Sequence, residues 1–274
     1  YLWYAYLPPG KFPGWLDDCI TCENNGADYT PKESAERFDL VFNELLERQN
    51  KRKHLIPLSG GFDSRAILGA LLERLNTSDI ETVTFGAPGQ LDYDIGLRVA
   101  EWSGVKSHAI DLRTVELTWD SVINSVEKSP WTYVPDGYFN ILARNVNRYK
   151  NSTVWIGFLG DPLTGSHLSQ SNTRSEATTE FVNKQRRVKK LQLISSDYNP
   201  YSAVPDLPSN SLISPFQSLD FGVRQARCIA PIVLPAPKWR SWGTKLSTKN
   251  GSNVMTPFVH STWAGYWLSA PPSV

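Results

Sequence analysis

Short apolar runs alternating with stretches of helical periodicity predict an α/β fold. The expected form is a doubly wound parallel sheet of about five strands with helices on both faces, plus extra helices toward the C-terminal end. Three observations carry this expectation. Residues 54–58, His-Leu-Ile-Pro-Leu, read as a short buried strand stopped by Ser59, Gly60 and Gly61. Ile67, Leu68, Leu71, Leu72 and Leu75 follow at helical spacing, so the glycine turn opens onto a helix N-terminus. Beyond them, a strand at 81–86, a helix at about 92–102 and a strand at 107–112 complete a strand-helix-strand-helix-strand series.

The remaining elements follow in chain order. Residues 1–30 carry Pro8, Pro9, Gly10, Pro13, Gly14 and Gly26 among many aromatics and read as an extended arm or domain-boundary segment, leaving 31–274 as the main domain. From Pro31, the spacing of Ala35, Phe38, Val41, Phe42, Leu45 and Leu46 predicts a helix, capped by Thr30 and closed by Lys51, Arg52 and Lys53. Further helices are expected at 119–126 and 136–149, a fourth strand at 153–157, a basic helix at about 175–191 within a polar 166–215 stretch, and a helix near 221–227.

Composition excludes several classes. The 274 residues carry 28 Lys and Arg against 27 acidic residues, so no global field directs the chain to nucleic acid or an anionic membrane. No apolar run approaches the roughly 20 residues that span a bilayer, and the start does not read as a signal peptide, so a cytoplasmic location is the default expectation. Tyr1 in place of Met suggests a fragment or a missing leader. Cys19 and Cys22 form a lone C-x-x-C, with Cys228 the remaining cysteine; two reduced loop thiols are the expectation, with zinc or redox use the alternative.

The chemistry concentrates in one loop. Neither G-x-x-x-x-G-K-[ST] nor G-x-G-x-x-G is present; instead the chain has S-G-G-x-D-S at 59–64. Amides at a helix N-terminus suit an anion, and an adjacent carboxylate suits a hard cation. A plain strand-to-helix turn with an Asp cap is the bland alternative.

This motif resembles the pyrophosphate loop of the ATP pyrophosphatases, the adenine nucleotide alpha hydrolase-like family that includes asparagine, GMP, NAD and argininosuccinate synthetases. The resemblance implies that Leu58, Ser59, Gly60, Gly61, Phe62, Asp63 and Ser64 bind the phosphates of ATP and that Val83, Thr84, Phe85 and Gly86 offer backbone to adenine. Asp92-Tyr93 matches the acidic-Tyr helix start of the asparagine synthetases, although Asp92 also reads as a simple cap. The stretch at 157–165 resembles that family's Gly-Glu-Gly-x-Asp-Glu signature at Gly157, Gly160, Asp161 and Gly165, with Phe158 and Pro162 standing where the glutamates would be. Asp63 and Asp161 become the implied catalytic and Mg²⁺-binding carboxylates. Pro257 and Phe258 match a later Arg-x-Pro-Phe-Leu-Asp motif, in which Met255 replaces the Arg and His260 the Asp.

Taken together, the resemblance implies an ATP-dependent, amide-forming ligase or amidotransferase domain of the asparagine synthetase type. It would adenylate a small-molecule carboxylate with Mg²⁺ and ATP and pass it to ammonia or an amine. No glutaminase domain is recognisable, so a glutaminase or another ammonia donor is an expected partner, while a membrane or nucleic acid is not. The alternatives are a related enzyme adenylating another substrate and a degenerate nucleotide-binding scaffold or regulatory subunit. The replacements at Phe158, Pro162, Met255 and His260 motivate the latter.

Overall fold

The computed structural model describes residues 28–49, 53–116, 118–120, 123, 151–157, 160–164 and 253–269. Contacts divide them into two compact units. The first holds the described residues from Thr30 to Gly160 together with 253–263, and the second holds Asp28, Tyr29, 161–164 and 264–269.

The first unit begins with α1 (Pro31–Glu47), where the Thr30 hydroxyl accepts the Glu33 amide at 3.1 Å and Pro31 occupies the first turn, as the sequence predicts. In chain order there follow β1 (Lys53–Pro57), α2 (Phe62–Leu72), β2 (Ile80–Gly86), α3 (Leu91–Trp102), β3 (Lys106–Asp111), β4 (Ser152–Trp155), α4 (Gly160–Thr164), β5 (Asn253–Met255) and α5 (Ser261–Ser269), of which α4 beyond Gly160 and α5 beyond Trp263 belong to the second unit. The strands pair in the order β3-β2-β1-β4-β5, and every pairing is parallel. Strands follow one another outward in one direction from β1 to β3, while β4 lies on the other side of β1. The crevice between β1 and β4 is therefore the topological switch point.

Alternate strand residues point to opposite faces, so consecutive buried residues reveal a sheet covered on both sides. His54, Leu55 and Ile56 in β1, Thr82, Val83 and Thr84 in β2, and all four residues of β4 are buried. Against one face, Phe42 of α1 stacks on Trp155 at 5.2 Å between ring centroids, and Phe38, Phe258 and Trp263 extend the cluster. The Trp155 indole N–H donates to His54 Nδ1 at 3.0 Å, so a fully buried polar atom is satisfied without water. At the opposite end of the strands from the glycine loop, Gln49 holds three segments together. Its Oε1 accepts from Thr153 Oγ1 at 3.1 Å and Asn253 Nδ2 at 2.9 Å, and its amide meets the Met255 sulfur at 3.7 Å.

In the second unit the Tyr29 and Tyr266 rings lie 4.9 Å apart and Tyr266 meets Trp267 edge-on at 5.4 Å. Among the described residues, no helix is long and apolar enough to cross a membrane.

Two sequence expectations need correction. Lys53 does not close α1: the helix ends at Glu47 with Arg48 as its cap, and Lys53 is the first residue of β1, paired with Ser152 and 3.9 Å from Glu81. The charge run masked the onset of the strand, because an exposed first position tolerates lysine whichever element owns it. Asn253–Met255 is a fifth strand that went unread, three residues being too short for any alternation to register. Lys51, Arg52, Cys19, Cys22, Cys228 and the helices expected at 136–149, 175–191 and 221–227 lie outside the described residues, as does most of the helix expected at 119–126.

Glu81, near the start of β2, gathers a charge cluster: His108 Nε2 at 2.7 Å, Lys106 at 3.3 Å and Lys53 at 3.9 Å. Burial alone would raise its pKa, but the hydrogen bonds from His108 and Lys106 outweigh it and hold the carboxyl below its ordinary value. A lowered folded-state pKa contributes stability above the unfolded pKa and loses it as pH falls through the folded one. Wild-type protein should therefore exceed Glu81→Gln in melting temperature at pH 7, with the gap closing in the acid range; thermal melts followed by circular dichroism check this. Trp155→Phe, which strips the donor from His54, should cost about 1–3 kcal/mol in urea unfolding.

Candidate functional site

The loop from 58 to 61 joins β1 to α2 at the carboxyl edge of the sheet. Leu58 continues the ladder, its amide donating to the Val83 carbonyl at 2.9 Å, while its own carbonyl accepts the Thr84 hydroxyl at 2.9 Å. The phosphate-loop and adenine-side candidates, 58–64 and Val83–Gly86, are thus tied together directly. Gly60 then turns under α3: its amide donates to the Asp92 carbonyl at 3.0 Å, and a Cβ there would come within 3.2 Å of both Asp92 Cα and the Leu91 carbonyl oxygen.

Inside the loop the two serines face each other. Ser59 Oγ and Ser64 Oγ are 3.3 Å apart, Ser64 Oγ accepts the Ser59 amide at 3.2 Å, and Ser59 Oγ accepts the Gly61 amide at 3.1 Å. These bonds commit the Ser59 and Gly61 amides within the loop, and the Gly60 amide is committed to Asp92. The donors that the loop turns toward an anion are accordingly the first-turn amides of α2, where Gly61 at the N-cap supplies no side-chain acceptor. Phe62, Asp63 and Ser64 form that turn, with Ser64 buried and the Phe62 ring exposed.

The loop after β4 closes on Asp63. A Cβ on Gly157 would lie 2.9 Å from Asp63 Cβ and 3.1 Å from the Ser64 amide nitrogen. One on Gly160 would lie 2.5 Å from the Asp63 carboxylate carbon and Oδ1. Two glycines thus admit Asp63 at the switch point, Gly157 against its Cβ and backbone and Gly160 against its carboxylate, and a side chain at either place would collide with it. Gly160 and the whole set from Leu58 to Ser64 are brought together in this way. Asp161, the residue after Gly160, belongs to the second unit and stands in the first turn of Gly160–Thr164, with the Thr164 hydroxyl donating to its carbonyl at 3.2 Å. Phe158 and Gly165 lie outside the described residues.

Sequence reading overlooked part of this support. Gly96, inside α3, lies where a Cβ would meet the Leu58 carbonyl at 3.0 Å and Thr84 Cγ2 at 3.1 Å, and Gly86 packs on the Tyr93 side chain in the same way. A glycine interrupting a helical pattern was the available signal for Gly96. Asp92, read as a helix start, is not the N-cap of α3, which is Gln90; it holds the loop by its backbone carbonyl. The family positions taken by Met255 and His260 are structural here: Met255 pairs with Trp155 in the sheet, and His260 Nε2 lies 3.4 Å from Glu44 while its Nδ1 accepts the Thr262 amide. Among the described residues, no group of three or more His, Cys, Asp or Glu side chains is arranged to hold a metal ion.

No protein-family model matches the chain, and no curated protein matches it. Similar solved structures include an NH3-dependent NAD synthetase from Campylobacter jejuni in complex with nitrate, at 15% identity and a TM-score of 0.32, covering 54% of this chain and 59% of that one. The chain therefore spans about three fifths of that synthetase's length. Another is a U34-tRNA thiolase from Methanococcus maripaludis with its [4Fe-4S] cluster, at 15% identity and a TM-score of 0.37, covering 90% of this chain and 80% of that one. At these scores the superpositions decide nothing, and the fold rests on the strand order and register described above.

The glycines differ in what they tolerate. Gly157→Ala drives a methyl into backbone and should cost on the order of 1–3 kcal/mol, whereas Gly69→Ala, in a helix interior with open space around it, should gain about 0.5–1 kcal/mol. Chemical denaturation of the two variants checks the contrast.

Proposed function

We propose that this chain binds ATP with its phosphates on the loop from Ser59 to Ser64 and its adenine beside Val83–Gly86, and transfers the adenylyl group to a carboxylate. The observation that supports this most is the close approach of Gly157 to the Asp63 backbone and of Gly160 to its carboxylate, beside the first-turn amides of α2. With a polyphosphate on those amides, the Asp63 carboxylate would be placed to hold a cation beside it.

Glycine at 157 and 160 lets the loop after β4 close directly on Asp63, and a carboxylate in the first turn of a helix has the donor chemistry of a Mg²⁺-phosphate site. Asp63 would hold the ion, and the sequence resemblance assigns the second carboxylate to Asp161. When bound, Mg²⁺ neutralises charge on the departing pyrophosphate. The chain's own groups orient the nucleotide: the amides at 62–64 bind the phosphates, and Leu58 and Thr84 fix the spacing between the phosphate and adenine subsites.

In the asparagine synthetase-type reading, a substrate carboxylate oxygen forms a bond to the α-phosphorus as the bond to the pyrophosphate oxygen breaks. Ammonia or an amine then attacks the acyl carbon, AMP leaves with the bonding pair, and a proton passes to solvent. Phe158 stands where that family has a glutamate, so an ordinary aspartate-to-asparagine reaction is not what this site is built for. A second reading, a nucleotide-binding subunit without catalysis, draws support from Met255 and His260, which are occupied in packing the fold.

ATP–pyrophosphate exchange across a panel of carboxylic acids separates the two. Exchange supported by an acid other than aspartate is the expected outcome, and ATP binding without exchange favours the subunit reading. Asp63→Asn should weaken Mg-ATP binding by about 1–3 kcal/mol, measured by calorimetry in excess Mg²⁺. Unchanged affinity would remove the loop assignment.

A further inference from the structure

Phe62 opens α2 with its ring 83% exposed, next to the turn that carries Gly60 and Gly61. The ring is held from one side: the Arg65 guanidinium carbon lies 4.5 Å from its centroid, and Arg65 Nε donates to the Gly61 carbonyl at 3.3 Å. An exposed cation–π contact offsets only part of what a phenyl ring gains by burial, so the loop carries an aromatic surface that water leaves unsatisfied. Leu91 repeats the pattern on α3. It opens that helix 78% exposed, and its carbonyl is packed against Gly60. Each helix start therefore leads with an exposed apolar side chain followed at once by an aspartate, Asp63 or Asp92, and the two starts meet at Gly60.

We propose that Phe62, propped by Arg65, is a ring-binding platform that selects the second substrate, favouring a carboxylic acid with a flat aromatic group over a short polar acid. The assignment of that ligand as the second substrate rests on the adenylation reading above. A planar group laid on the open side of the ring removes two apolar faces from water at once, and stacking rewards flatness over mere hydrophobicity. A short acid such as acetate or aspartate reaches no such surface and gains nothing from it.

Ligand-observed NMR titrations of the full chain with phenylacetate and with acetate, at saturating magnesium and a non-hydrolysable ATP analogue and again without nucleotide, test this. Wild-type protein should bind phenylacetate at least tenfold more tightly than acetate. Phe62→Ala should bring that ratio to within twofold, while Phe62→Tyr keeps it. Since the ring is exposed, neither change removes core packing. A wild-type ratio near one, or a ratio that Phe62→Ala leaves intact, overturns the platform. Ring-selective binding that depends on Phe62 without any phenylacetate-supported pyrophosphate exchange keeps the platform and overturns adenylation. Exchange driven by aspartate and indifferent to Phe62→Ala does the reverse.

Discussion

The steric constraint on which the site depends is the near-contact of two loops at the switch point of the sheet. Asp63 enters from the helix after β1, and Gly157 and Gly160 from the segment after β4, with less than a methyl group's width between them. Such an approach requires adjacent parallel strands ending at the same level. The register pairing His54 with Thr153 and Leu55 with Val154 supplies that. It also requires that β1 and β4 be neighbours although about a hundred residues separate them, which the doubly wound order brings about. The glycine positions are thus consequences of sheet register and of the acidic residue they admit.

The sheet divides its work between its ends. Near the N-terminal ends of the strands, Glu81 with His108 and the lysines, and Gln49 with Thr153 and Asn253, fasten neighbouring strands through side chains. At the carboxyl ends of β1 and β2 the fastening runs largely through backbone groups of Leu58, Gly60 and Asp92, with the Thr84 hydroxyl on the Leu58 carbonyl. In the loop itself the two serine hydroxyls bond to one another and to loop backbone.

Much of this was legible in the residues. The β1–loop–α2 unit reads directly, because five apolar residues, two glycines and a helical stripe have no other economical arrangement, and Thr30-Pro31 announces α1 by its capping chemistry. What stayed hidden was set by tertiary packing. Asn253–Met255 is a strand only because β4 offers it an edge, and nothing local to three residues says so. Lys53 looked like a helix terminus because charge at an exposed position does not reveal which element carries it. The role of Gly96 lies in its distance to Leu58 and Thr84, a relation between separate elements that no single window contains. Phe62 reads in sequence as one of the phosphate-binding loop residues, and only its exposure shows a ring turned to solvent.

The aromatic cluster has a consequence for how the protein is made. Phe38 and Phe42, Trp155, and Phe258 with Trp263 come from three widely separated parts of the chain, and β4 gains its outer partner only from residues 253–255. On the ribosome, α1 and the first three strands emerge long before the groups that cover them, so the nascent chain carries exposed rings and, once β4 has formed, an open strand edge. Non-local parallel pairing of this kind is slow to form and prone to aggregation while it waits. Synthesis is therefore a race between completing the sheet and self-association, one that a holdase chaperone would shift toward the sheet.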